Sequence, residues 1–176
     1  MSRQSLIVFV ACVCLLLTGQ PARAQADLKT IVVKHLTTSR DFTLKVAEQM
    51  PEADYAFKPV ATVRSFGQLI GHVAGSQNAM CAMALGDPEK SEDEIEKSAT
   101  TKAQLVAALR ASSEYCRRAY AQTGTAAAAD ATVYGEKQSR IAALALNAVH
   151  DAEHYGNVVT YLRIKGMVPP SSQPRP

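Results

Sequence analysis

Between Ser139 and Gly166 apolar residues recur every three or four positions, at Ile141, Leu144, Ala148, Tyr155, Val158, Val159 and Leu162. The run stops at Gly166, with Pro169-Pro170 just beyond. That spacing follows the turn of an α-helix, and glycine then proline is how such a helix ends. A long helix with an apolar stripe must bury it against other elements, so the rest of the chain has to supply partners.

Three more helical patterns do so. Asp27 to Thr30 offers an N-cap ahead of Ile31, Leu36, Phe42, Val46 and Met50, and Pro51 closes that helix. Ser65 caps a second helix carrying Phe66, Leu69, Ile70, Val73, Met80, Ala84 and Leu85, stopped by Gly86-Asp87-Pro88. Thr101 and Gln104 form a capping-box pattern before Leu105, Leu109, Ser112, Cys116 and Tyr120, predicting a third helix to about Thr123. Residues 51–63 read as an extended connector packing Tyr55 and Phe57, and residues 87–100 as a solvated loop. Residues 124–138 read as a crossover loop with a short helical turn in its alanines. Four helices of about 20 to 25 residues and no strand describe an all-α four-helix bundle.

The first 24 residues read as a secretory signal. Arg3 gives the positive end, Leu6 to Leu17 the apolar region, and Ala22-Arg23-Ala24 the cleavage site. The twelve-residue apolar run is too short to cross about 30 Å of hydrocarbon, so no stable membrane insertion is expected after cleavage. The expected organisation is a signal peptide over 1–24, a bundle domain over 25–170 and a disordered tail over 171–176, with a periplasmic or secreted location. The whole chain has 19 basic and 16 acidic residues, and losing Arg3 and Arg23 brings them almost level. That balance, with no basic stripe, gives no footprint for nucleic acid. Export would place Cys81 and Cys116 where a disulfide can form, and one bridge or two buried thiols both fit the sequence.

The chemistry gathers on two helices. His150 and His154 are four residues apart, which turns 40° beyond a full circle and stacks both imidazoles on one face. That face continues an apolar stripe from Ala143 through Leu146 to Tyr161 and Ile164. On the second helix the stripe Ser65, Leu69, His72, Ser76, Met80, Met83 directs His72 to the same interior. Three neutral imidazoles on rigid helices can hold Zn, Ni or Fe and leave positions open for water or substrate. His-x-x-x-His alone is a weak motif, and it is not a protease motif here, since Asp151 stands where a Glu base is needed. Asp151 and Glu153 are offset from the His face and are expected to be solvated or to join helices.

The order of three motifs resembles the DinB/YfiT-like superfamily. They are Met50-Pro51 through Phe57-Lys58-Pro59, then Ser65-Phe66 through Leu69 to His72, then His150 through His154 and Asn157 to Tyr161-Leu162-Arg163 and Gly166 to Pro169-Pro170. The resemblance covers about residues 28–170 and departs at Asn157, where Gln is usual, and at Tyr155, where Arg or His is frequent. It implies an up-down-down-up bundle with its long crossover between the second and third helices, a metal held by His72, His150 and His154, and a homodimer. Relatives of this family include metal-dependent transferases and an isomerase that use low-molecular-weight thiols.

The resulting expectation is a divalent-metal-dependent hydrolase or transferase acting on a small molecule, with Ser76 and Asn157 orienting substrate or ligands. The competing expectation is a non-catalytic bundle that binds metal or another ligand, favoured by the lack of an evident general base. His35 is expected at a surface or interface, and Met80 and Met83 in the core.

Overall fold

The computed structural model describes residues 20–122 and 124–174, with side chains from residue 33 onward except 35, 36 and 124. Most of the predicted leader, and the His35 side chain, therefore lie outside the described residues. Residues 1–35 and 36–176 form two separate units, and the bundle core with His72, His150 and His154 belongs to the second.

Four long helices carry the fold: α1 (Gln20–Gln49), α2 (Phe66–Leu85), α4 (Lys102–Tyr120) and α6 (Arg140–Ile164). Short helices α3 (Glu94–Ser98) and α5 (Gly124–Ala128) and a hairpin of β1 (Asp130–Val133) and β2 (Glu136–Ser139) fill the connections. Among the described residues no helix is long and apolar enough to cross a membrane.

The helix ends follow their local chemistry. Ser65 and Gln68 make a reciprocal capping box at the start of α2, and Thr101 and Gln104 make another at α4. Gly86 (φ 73°) ends α2, and Gly166 (φ 72°) follows α6, in the left-handed conformation that glycine adopts without strain.

Contact pairs give the helix directions. Along α2, Gly67 and Gly71 lie against Leu105 while Gln77 meets Ser112 and Cys81 meets Cys116, so α2 and α4 run parallel. Against α6 the order reverses, with Phe66 near Tyr161, His72 near His150, and Gln77 on Asp151. On α1, Arg40 sits over Tyr120 and Glu48 pairs with Arg110, which sets it antiparallel to α4. The course is up-down-down-up, and residues 86–101 are the crossover between the two parallel helices.

Two sequence expectations are corrected. The segment 87–100 is not a plain solvated loop, because α3 turns Ile95 onto the main core and its neighbours press on the glycine face of α2. A Cβ on Gly75 would sit 1.9 Å from the Glu92 carbonyl oxygen, and one on Gly71 would sit 2.8 Å from the Glu96 Cα. The segment after α4 contains, besides the expected helical turn, a two-stranded hairpin with Val133 paired to Glu136. Its turn residues Tyr134 (φ 49°) and Gly135 (φ 85°) both have positive φ, the geometry that suits a two-residue hairpin turn. The end of the chain is also tied down further than a disordered tail from 171 would be. Pro170–Ser172 forms a 3₁₀ turn, Arg163 donates to Ser172 Oγ at 3.1 Å, and the Ser171 amide donates to Tyr155 Oη at 3.2 Å.

The interior has two apolar clusters. The larger holds Met50, Phe66, Ile70, Val73, Leu109, Val158 and Leu162, with the buried Tyr55 donating to the Ala47 carbonyl at 2.5 Å. Phe57, from the same connector, packs edge-on against Tyr161, as expected of both aromatics. The smaller cluster holds Ala84, Ala119, Val133, Ala143 and the Cys81–Cys116 disulfide, whose Cα atoms are 5.2 Å apart. A cross-link over 35 residues stabilises by about 3 to 4 kcal/mol in the chain-entropy account. Met80 is buried, and Met83 packs against the smaller cluster.

Gly75→Ala should lower unfolding free energy by about 1 to 3 kcal/mol, the usual cost of forcing an extra methyl into a filled site. Urea denaturation of the two proteins measures it, and an unchanged midpoint would contradict the close approach of the crossover.

Candidate metal centre

His72 stands two turns into α2, whose capping box fixes the helix start, and His150 and His154 stand one turn apart on α6. The antiparallel packing sets them opposite one another. His72 Nε2 is 3.2 Å from His150 Nε2, which is 3.1 Å from His154 Nε2. The three rings are mutually inclined by 57° to 88° with centroids 4.3 to 5.1 Å apart. Their donor atoms lie within 4.8 Å of one another, and this is the one His, Cys, Asp or Glu cluster of its kind among the described residues.

Imidazole nitrogens about 2.0 to 2.1 Å from a tetrahedral ion sit about 3.3 Å apart, and on an octahedral face about 3 Å apart. The two spacings to His150 fall between these values and all three donors lie within 4.8 Å of one another, so the donor set fits a first-row divalent ion. Electrostatics agree. Burial pushes His150 down to about 3, helped by His154 and His72. Burial lowers His72 as well, with Arg64 adding to it and Glu96, Glu92 and Asp93 opposing it. His154 is lowered by burial and then by His72. The three rings are therefore neutral near pH 7, the state in which imidazole is a ligand.

For Nε2 to present a lone pair, Nδ1 must carry the proton. Asn157 Nδ2 lies 3.2 Å from His154 Nδ1, and turning the amide over would put Oδ1 there to accept that proton. The Nδ1 atoms of His72 and His150 are buried without a hydrogen-bond partner. Ser76, one turn beyond His72, donates to Glu92 Oε2 at 3.4 Å, and Glu92 is also held by the Tyr134 hydroxyl. Ser76 thus anchors the crossover beside His72, while Asn157 touches the triad directly. The α6 stripe turns slightly from the expected one. Its buried line is Ala143, Asn147, Asp151, His154, Val158 and Tyr161, with Leu146 and Ile164 at the surface.

Asp151 joins helices, as one of its two expected roles, and Glu153 is exposed. Asp151 is 1% exposed and accepts from Gln77 Nε2 at 3.0 Å, while Gln77 Oε1 accepts from Ser112 at 2.7 Å. Burial raises the Asp151 carboxyl to about 7, against the opposing effects of Gln77 and Arg40.

A cleft of about 800 Å³ opens beside His154 and Asn157. Its far wall is the connector from Lys58 to Arg64, and Glu96 of α3 closes one side, taking both carboxylate oxygens to Arg64 Nε at 3.2 and 3.0 Å. Sequence reasoning named none of Lys58, Arg64 or Glu96 as site residues. The one local signal was two basic residues bracketing an apolar stretch just before the α2 cap.

Residues 35–158 match the profile of the DinB superfamily. Among solved structures, the fold matches a DinB-like protein from Bacillus subtilis at TM-score 0.62 and 21% identity, covering 82% of this chain and 99% of that one. It also matches a candidate DinB-family member from Exiguobacterium sibiricum at TM-score 0.63 and 22% identity, covering 80% and 93%. A conserved protein from Enterococcus faecalis matches at TM-score 0.59 and 17% identity, covering 77% and 95%. Likeness at these identities speaks to the fold. No curated protein matches the chain.

The three histidines set the acid limb of stability. Their folded pKa values lie below the ordinary 6.5, so the unfolded chain takes up protons first as pH falls. Their contribution is present above about pH 6.5 and is lost as pH falls toward 3. Asp151 has the opposite sign, its stabilising contribution being present below its ordinary 3.8 and lost as pH rises through about 7. In metal-free protein the urea midpoint should fall below pH 6.5, and Asp151→Asn should steepen that fall while removing the loss near pH 7. A midpoint that is flat from pH 7.5 to 5 would contradict the neutral buried triad.

Proposed function

The chain belongs to the DinB superfamily, and on that premise we propose that it is an exported metalloprotein in which His72, His150 and His154 hold one Zn, Ni or Fe ion for hydrolase or transferase chemistry on a small molecule. The observation that carries this reading is the meeting of three imidazoles from two separate helices, with His150 Nε2 3.2 Å from His72 Nε2 and 3.1 Å from His154 Nε2 and all three donor atoms within 4.8 Å of one another. An ion there acts as a Lewis acid toward a carbonyl, water or thiol.

The chain's own residues then have distinct tasks. The imidazoles stay neutral through burial, Asn157 fixes the His154 ring, and the crossover behind His72 keeps that helix face from solvent. The cleft past His154 admits the ligand from one side. The leader supports a periplasmic or secreted location. A homodimer is the family habit, and on α6 it has a candidate face in exposed Ile141 and Val149.

The second reading, a non-catalytic metal- or ligand-binding bundle, rests on one observation. Glu96, the one carboxylate lining the cleft, is held in a two-point pair with Arg64 rather than presented to a ligand.

Plasma mass spectrometry of tag-free protein purified without chelators should find about one equivalent of transition metal, as one three-ligand site requires. The triple variant His72→Ala, His150→Ala, His154→Ala should hold none, and each single variant should lose more than the roughly 100-fold in affinity that removing an outer partner costs. No metal in the parent after reconstitution would sink the proposal. Bound metal with no turnover across hydrolase and transferase screens would select the second reading.

A further inference from the structure

Under the metal reading, on which this inference rests, three neutral imidazoles leave a divalent ion with its full double charge. The cleft beside His154 does little to balance it. Glu96 is the one acid lining the cleft, and its charge is spent on Arg64. The other acids acting on His72 do not line the cleft: Asp93 is paired with Lys97, and Glu92 is held by Ser76 and Tyr134. Lys58 also lines the cleft, exposed and without an ion-pair partner among the described residues. The cleft's apolar lining comes from Pro59, Ala61, Val63 and Leu69, interleaved with the polar Thr62, Gln68, Asn157 and Thr160.

We propose that the cleft binds a small organic anion, with an apolar body against Pro59, Val63 and Leu69 and a charged end paired by Lys58, while a second donor group reaches the ion at His154. Lys58 is then a specificity residue for charge at the distal end of the ligand. A neutral molecule leaves Lys58 and the ion uncompensated, and a cation is repelled by both.

The test uses the full protein loaded with Co²⁺, whose visible bands report donors entering its coordination shell. Two probes share a hydroxamate to reach the ion and a six-carbon chain. One, adipic acid monohydroxamate, ends in a carboxylate, and the other, hexanohydroxamate, ends in a methyl group. Wild type should bind the carboxylate probe about three- to five-fold more tightly, the size of one partly exposed ion pair. Lys58→Gln should bring that ratio to about one without changing affinity for the methyl probe. Lys58 is exposed, so this variant leaves the core intact. Equal affinities in wild type, a ratio unchanged in Lys58→Gln, or failure of both probes to perturb the bands would overturn the proposal while leaving metal binding standing. Failure to take up Co²⁺ at all, seen before any probe is added, would remove the metal reading and this inference with it.

Discussion

The bundle depends on α2 being buried around nearly its whole circumference. One side meets α4, another meets α6, and the third would ordinarily face solvent. Gly71 and Gly75, four residues apart, strip that third side of side chains and let the crossover backbone lie directly against the helix, while Gly67 one turn earlier admits the Tyr55 carbonyl of the connector. Close approach turns the charged segment 87–100 into a wall of the metal centre. It also places Glu92 and Glu96 near His72, where their fields oppose the lowering of its pKa.

A polar layer divides the two apolar clusters and fixes the register of the helices. Gln77 on α2 is bonded at one end to Asp151 on α6 and at the other to Ser112 on α4. Tyr120 adds a tie from α4 to the Leu144 carbonyl of α6 at 2.9 Å. Apolar packing alone tolerates a helix sliding by a turn, because one leucine substitutes for another. Sliding α6 past α2 here would strand a buried carboxyl and a buried amide, each costing about 1 to 3 kcal/mol. Asp151 follows His150 directly, so the register that satisfies Gln77 is also the one that brings His150 and His154 level with His72. The Cys81–Cys116 bridge locks α2 to α4 one turn further along.

How much of the molecule was legible in the sequence depends on the range of each interaction. Helix starts at Ser65 and Thr101, stops at Gly86 and Gly166, and the shared face of His150 and His154 are set by neighbours within four residues, and all are found where the pattern put them. The convergence of His72 with that pair needed only two stripes pointing to one interior. The hairpin was missed because its turn places Tyr134, an uncommon residue at positive φ, where asparagine or aspartate would have signalled it. Helix α3 was missed because five mostly charged residues carry no periodicity, and its burial comes from the glycine face of another helix. The role of Asp151 was left open between solvent and a neighbouring helix, since its partner Gln77 lies 74 residues away. The cleft was invisible for the same reason, being walled by a connector, α3 and α6.

The triad also runs against the interests of the fold that carries it. Three imidazoles withdrawn from water, two with unpartnered Nδ1 atoms, weaken the bundle where apolar side chains of similar size would strengthen it. The surrounding structure is arranged to tolerate that cost, with a disulfide, two capping boxes and a bonded polar layer close to the site. An ion that binds the folded chain and not the unfolded one would reverse the sign of the triad's contribution, since mass action then favours the folded state by an amount set by affinity and supply. Metal loading would then be coupled to folding through the same three side chains. The neutral charge of that ligand set gives the coupling a second consequence. An ion held without carboxylates would leave its charge to be met from outside, on the side of the cleft that Lys58 helps to line.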